Sequence, residues 1–394
     1  MRIILYVPID SGFVETWPLA HIVDELVARG HTVEHVNPAI GLGRVAGAAE
    51  YSEYLLHHYA RLRGGQPYDL FFAIAGDVNL EPDAVSEIRR SIPTVLMCTD
   101  DQSVPFEYER IAPRFDLVWA TSREGSAVLR SFGARTVMMP YAANPRLFAG
   151  SEAARPDSAI CFVGRSYGIR TRLLTMLAEN GITTRLYGKG PEAIYTPEKA
   201  RTPLTRAVLG GGAVASYVFK SLRFPVGRRC VAGAIKRTVD EVTSDRVGRT
   251  VLGPGVERLP APTFEDMGRV FSRNALSLGS VLLHSTFTLK YPVHCIHLRE
   301  FEAPMCGAVH LVNRCDEIRE YFAEGAEILC YGSPDELLDT ARSFLLPARL
   351  AEIATIRKAA RRRAVADHTW SRRFVTLAAG LGLRWRDEAP AWTA

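Results

Sequence analysis

An α/β fold with two Rossmann-like domains facing a cleft, the second carrying a basic helical insertion, is what this sequence predicts. Three observations lead there. The chain has 394 residues, beyond the roughly 250 to 300 at which a single core stops growing, so two domains are the default. Short, continuous apolar runs alternate with segments of helical spacing, the mark of parallel strands buried on both faces and joined by helices. That alternation occurs twice, and the two series are separated near 144–158 by "NPRLFAGSEAARPDS", a stretch rich in Pro, Gly, Ser and Ala.

The first series opens with "RIILYVPI" (2–9), too uniformly apolar to alternate between core and solvent. A loop with Asp10, Ser11 and Gly12 follows, then "WPLAHIVDELVARG", with Leu19, Ile22, Val23, Leu26 and Val27 at helical spacing between Pro18 and Gly30. "HTVEHVNP", "YDLFFAIAG", "IPTVLMCTDD", "FDLVWATS" and "ARTVMMPYAANP" continue the theme as further strands. The second series runs from "SAICFVGRSYG" through "ITTRLYGKG" to "AVHLVN" and "AEILCYG". "SPDELLDTARSFLL" then shows a capping-box pattern, Ser333 with Glu336 three residues on, before the basic "IRKAARRRAVADHTWSRRF". The expected division is 1–148, 158–370 with an insertion at about 191–258, and a C-terminal helix and tail, 371–394, packing back toward the first domain.

Composition narrows the function classes. A hydrophobic content of 47% with 23% charged residues is that of a soluble globular chain, and a net charge of +5 is too mild to call for nucleic acid. Seven cysteines form no CxxC pair and mostly lie in apolar runs, which points to buried thiols in a reducing compartment and to no zinc site. The apolar start is too short for a signal-peptide core, and nothing approaches the roughly 18 apolar residues of a membrane span. The expected location is the cytoplasm.

One segment fits the α/β pattern poorly. Between Pro203 and Thr238 there are seven Lys or Arg and no acid, interleaved with apolar residues. It reads either as a solvated basic helical hairpin or as a peripheral surface for anionic lipid at the inner face of a membrane.

Ligands in open parallel sheets bind beyond the carboxyl ends of strands, where loops enter helix N-termini. "CFVGRSYGIRTRLL" has that form: Gly164 permits close backbone approach, and Arg165 and Arg170 at a helix mouth suit a diphosphate. In "REFEAPMCGAVHLV", Arg299 and Glu302 fall on one face of a short helix that Gly307 ends before a strand. Glu302 either offers two acceptor oxygens to vicinal hydroxyls or simply pairs with Arg299. Asp100 and Asp101, at the end of "CTDD", either orient an acceptor hydroxyl and take its proton or cap the next helix.

The segments "HLREFEAPMCGAVHLV", "CDEIREYFAEGAEILCYGSPDELLDTARSFL" and "DHTWSRRF" together resemble the C-terminal half of CgeB-like glycosyltransferases, relatives of the retaining GT-B group. "FVGRSYGIR" and "LYGKG" are similar to the first two loops of that family's donor domain, and the first 150 residues resemble its N-terminal half. The resemblance implies transfer of a hexose-type sugar from a nucleoside-diphosphate sugar to a glycan, lipid or protein hydroxyl, with retention, in envelope glycan or glycolipid synthesis. It further implies that Gly164, Arg165 and Arg170 face the donor diphosphate, Gly188 the base, and Glu302 the ribose or sugar hydroxyls. Arg299 and Gly307 belong to the same motif. Asp10, Ser11, Gly12, Asp100 and Asp101 would lie on the acceptor side. His294 stands where many relatives carry a further Glu. No Asp-x-Asp occurs, so no metal and no cofactor are expected. A non-catalytic scaffold for a glycan or envelope lipid in surface-layer or spore-coat assembly, and a nucleotide-sugar epimerase, are the alternatives.

Overall fold

The computed structural model describes residues 1–9, 17–62, 64–150, 156–189, 215–243 and 251–387. The chain divides into two compact units, Met1–Leu147 with Val365–Ala394, and Phe148–Ala364.

Unit 1 is built on six parallel strands: β1 (Arg2–Tyr6), β2 (Thr32–Val36), β3 (Leu70–Ala73), β4 (Thr94–Cys98), β5 (Leu117–Ala120) and β6 (Thr136–Met138), in the order β2-β1-β3-β4-β5-β6. β3, β4 and β5 are buried along their whole length, as their uninterrupted apolar sequences require of strands covered on both faces. One face packs Tyr6, Phe71, Leu96 and Val118 under the helices Ala48–Leu62 and Pro82–Arg89. The other packs Phe72 and Trp119 against Phe374 and Trp370 of the terminal helix Trp370–Leu381. That helix is held at its start by Glu25, whose carboxylate accepts from the amides of Trp370 (3.1 Å) and Ser371 (2.8 Å). The segment 19–28 is helical, as its spacing predicts, but begins with a π-helical turn, Leu19–Val23, before the α-helix Asp24–Ala28.

Unit 2 repeats the plan with β7 (Asp157–Val163), β8 (Thr184–Tyr187), β9 (Val256–Leu259), β10 (Asn274–Leu278), β11 (Val309–Asn313) and β12 (Leu329–Tyr331), all parallel, in the order β12-β11-β10-β7-β8-β9. Counting from β7, this is the Rossmann order 3-2-1-4-5-6, with its reversal between β7 and β10.

Two of these strands escape a reading by apolar runs. β9 begins at Val256, inside the stretch taken as an insertion, so the end of that stretch completes the sheet. β10, "NALSL", contains Asn274 and Ser277, which look wrong for a central strand until their partners are seen. Arg185 donates to Asn274 Oδ1 (2.9 Å), Asn274 Nδ2 donates to the Val270 carbonyl (2.8 Å), and Ser277 Oγ meets His310 Nδ1 (3.2 Å).

The basic run near the C-terminus also has a structural use. Within the helix Leu350–Asp367, Arg357 donates to the carbonyls of Phe271, Ser272 and Asn274 at the end of Met267–Arg273. Arg361 does the same for Met305 at the end of Arg299–Met305, and Arg363 for Tyr321 at the end of Asp316–Tyr321. One helix therefore supplies cations to the negative ends of three others. The capping box forms in part: Ser333 Oγ accepts from the Glu336 amide (3.1 Å), while the Glu336 carboxylate goes to the Gly332 amide and Arg314.

Candidate functional site

The site follows from the reversal between β7 and β10. At the end of β7 the ladder extends one step, the Gly164 amide donating to the Tyr187 carbonyl (2.9 Å), and the chain turns at Gly164 with φ +136°. Gly188, beyond β8, has φ +145°, and its amide donates to the Leu259 carbonyl (3.0 Å). Both angles are ones that side chains rarely tolerate. The Ser166 amide donates to the Lys189 carbonyl (3.0 Å), so the loops after β7 and β8 lie against each other. Ser166 and Thr171, both buried, join hydroxyls at 2.9 Å and pin the loop to the helix Ile169–Glu179. That helix starts at Gly168 without a side-chain cap; the Arg170 amide turns back to the Tyr167 carbonyl (3.2 Å), and the other first-turn amides face the end of the sheet, where an anion or water can meet them.

Arg170 crosses the reversal. Its guanidinium lies over the Tyr167 ring at 4.7 Å, and Nη2 donates to the Ser280 carbonyl (3.2 Å) just beyond β10. Ser280 Oγ is buried and has no hydrogen-bond partner among the described residues. The neighbouring strand ends are tied in by Tyr331 Oη to the Gly279 carbonyl (3.0 Å) and by the Val281 amide to Asn313 Oδ1 (3.2 Å). Arg165 and Lys189 are exposed on the same rim.

The helix Arg299–Met305 precedes parallel β11, so its first turn sits at this carboxyl edge of the sheet. Gly307, φ +70°, ends it and redirects the chain into the strand. Glu302 is buried and its carboxylate is ion-paired with the half-buried Arg299, which also reaches Met267 Sδ at 3.6 Å. Sequence reasoning singled out this pair but passed over Glu300. Glu300 Oε2 accepts from the His297 amide (2.9 Å), and Oε1 lies 3.7 Å from Nε2 of the fully buried His310. Burial pushes the Glu300 carboxyl up, but the attraction of His310 and His297 outweighs it and leaves the pKa lowered. The available signal was the one histidine in the apolar run "AVHLV".

In unit 1, Asp10, Ser11 and Gly12 lie outside the described residues. They follow β1, where the order of the first sheet reverses against β3. Asp100 is exposed in the turn after β4. Asp101 is turned inward and fully buried: it accepts from the Thr121 and Ser122 amides (2.8 and 3.2 Å) and from both their hydroxyls. It thereby braces the start of the helix Arg123–Ser131, whose N-cap is Ser122. Burial, partly offset by these four donors, raises its pKa to about 7.

No group of three or more His, Cys, Asp or Glu that could hold a metal ion occurs among the described residues, and no helix among them is long and apolar enough to cross a membrane.

Comparison with known proteins agrees with this layout. Residues 229–379 match the family described as glycosyl transferase-like, so part of the expected insertion lies within the matched segment. A search of curated protein sequences finds no match. Among solved structures, Anabaena Alr3699/HepE in complex with UDP-glucose aligns over 97% of this chain and 99% of its own at 15% identity and a TM-score of 0.55. Sucrose-phosphate synthase of Thermosynechococcus elongatus aligns over 97% and 99% at 14% identity and 0.55. The α,α-trehalose 6-phosphate synthase of Burkholderia multivorans aligns over 97% and 98% at 13% identity and 0.54. The chain thus has the two-Rossmann-domain architecture of GT-B glycosyltransferases.

Proposed function

We propose that this chain is a CgeB-like glycosyltransferase that moves a hexose from a nucleoside-diphosphate sugar to a hydroxyl of a glycan, lipid or protein, with retention, in envelope glycan or glycolipid synthesis. The observation that carries the reading is the carboxyl edge between β7 and β10. There a positive-φ glycine, a helix start without a side-chain cap and the Arg170 guanidinium gather at the reversal of a Rossmann sheet. The Anabaena and Thermosynechococcus folds and the glycosyl transferase-like match support it, and the UDP-glucose held by the Anabaena protein makes a uridine diphosphate sugar the first donor to try.

In this reading the diphosphate lies over the first turn of Ile169–Glu179. As the sugar leaves, charge accumulates on the departing phosphate oxygen, where Arg170 and the helix amides oppose it without reorganising. Arg165 adds a second cation from the rim, and Gly188 keeps the base side open. Arg299 fixes the Glu302 carboxylate, which reads ribose or sugar hydroxyls. Asp100 faces solvent at the end of β4 and is the better-placed acceptor-side carboxylate, since Asp101 is committed to the helix behind it. Unit 1 also has an open groove of about 880 Å³ in which Leu42, Leu56 and Tyr54 lie beside Glu53, His57 and Asp83, a mixed apolar and acidic surface on the acceptor-side unit.

Calorimetry with nucleoside diphosphates, followed by donor turnover, tests the reading. Arg170→Ala removes a charge-assisted contact and should weaken nucleotide binding about 30-fold while the protein still folds. A wild-type chain that ignores every nucleoside diphosphate, or a variant with unchanged turnover, refutes it; conversion of donor without acceptor favours an epimerase.

A further inference from the structure

The helix Pro225–Thr243 has two faces with different demands. Its inner face is used up by packing. Val226 joins Leu283 and Val293 in a small apolar cluster, and the helix lies so close to the 283–291 segment that a Cβ on Gly233 would stand 2.7 Å from the Ser285 carbonyl oxygen. Thr288 Oγ1 donates to the Gly233 carbonyl (3.1 Å), and Arg229 donates to the Tyr291 carbonyl.

The outer face is apolar and cationic together. Ile235 is 61% exposed and Val239 52%, one helical turn apart, with exposed Ala232 and Lys236 beside them. The preceding short helix, 215–221, and its turn add Phe219 at 75% exposure, Leu222, Lys220 and Arg223, and the adjoining loop presents Tyr291 and Lys290. From 215 to 239 the sequence has six Lys or Arg and no Asp or Glu, and Asp240, one residue on, pairs with Lys236 at 2.9 Å, which leaves the excess of cations on the 220–229 side of the face.

We infer that this face rests on an anionic lipid bilayer, with Phe219, Ile235 and Val239 in the headgroup–acyl boundary and the Lys and Arg side chains at the phosphates. A solvated helix gains nothing by holding a phenylalanine and an isoleucine in water, whereas the boundary of a bilayer takes both the apolar groups and the charges. A second copy of the same face would meet it cation to cation. The helix lies flat, since it is not apolar enough to cross. The inference does not depend on sugar transfer, and it is read without nucleotide.

Vesicle co-sedimentation of the full chain tests it. Binding is expected to vesicles containing phosphatidylglycerol, to fall with added salt, and to be absent with phosphatidylcholine alone. Replacing Lys220→Gln and Arg223→Gln together should lower the partition about 30-fold, since each cation near the surface is worth about fivefold. The pair Phe219→Ser and Ile235→Ser should lower it at least about tenfold at unchanged net charge. All four side chains are exposed, so unchanged melting is expected of every variant. Failure of the wild type to bind anionic vesicles, equal binding by either double variant, or self-association that Ile235→Ser disperses in place of vesicle binding overturns it.

Discussion

A methyl group on Gly188 would stand 2.1 Å from the carbonyl oxygen of Gly164. The loops after β7 and β8 meet through that missing side chain, and the two glycines take φ +145° and +136° to do so. Gly188→Ala must therefore move backbone, because a carbonyl oxygen cannot rotate away as a side chain can. We expect a stability loss of about 2 to 3 kcal/mol and a larger proportional loss of nucleoside diphosphate binding. Urea unfolding and calorimetry on one preparation measure both; an alanine variant with wild-type affinity would show that the loops do not shape the site.

Glu300 and His310 form the buried pair behind the Arg299–Met305 helix. Glu300→Gln keeps the shape and an acceptor for the His297 amide but removes the charge facing His310. We expect a loss of stability above the carboxyl range. The sign with pH is fixed by the lowered pKa of Glu300. Its contribution is present above the unfolded carboxyl value of about 4.3 and is lost as pH falls through the folded value, so variant and wild type should converge in acid. Denaturant unfolding at a series of pH values checks this, and curves that stay parallel would contradict it.

Arg361 donates to the carbonyls of Met305 and Phe148 in unit 2. Its removal leaves the end of the helix carrying Arg299 and Glu302 without its cation, so Arg361→Ala should cost about 2 kcal/mol. Arg361→Lys should recover only part, because the shorter lysine stem ends short of Nη1, the nitrogen that meets both carbonyls. Thermal melting of the three proteins gives the order directly.

Two buried carboxyls in unit 1 predict an opposite pH trend. Burial raises Glu25 to about 8, against the donors Ser371 and Trp370 and the charge of Arg29, and raises Asp101 to about 7. Both contribute stability that is full below the unfolded values of about 4 and is lost as pH rises through the folded ones. The melting temperature should drop between about pH 4 and about pH 8, level off above that, and drop less in Asp101→Asn. A flat profile would mean that both groups are ionised throughout.

Local regularities were legible in the chain alone. The continuous apolar runs of β1, β3, β4 and β7, the glycine after β7, the basic mouth of the next helix and the Ser333 cap all rest on residues within a turn or two of each other. The same locality explains what was missed. β10 was hidden because Asn274 and Ser277 are acceptable in a central strand only with Arg185 and His310 beside them, partners contributed by other strands.

Tertiary structure alone decided where the polar groups turn. "CTDD" offers two equivalent aspartates; Thr121 and Ser122, some 20 residues on, claim Asp101 and leave Asp100 to solvent. Arg170 finds the Ser280 carbonyl 110 residues away, and Glu25 finds the Trp370 amide 345 residues away. Periodicity is a property of neighbouring residues and can be read from them, whereas the direction of a buried charge is set by whichever distant donors make its burial affordable. The sequence thus determined two parallel α/β sheets and the loops at their carboxyl edges, and the packed chain decided which of their polar side chains are buried against distant partners and which stay exposed.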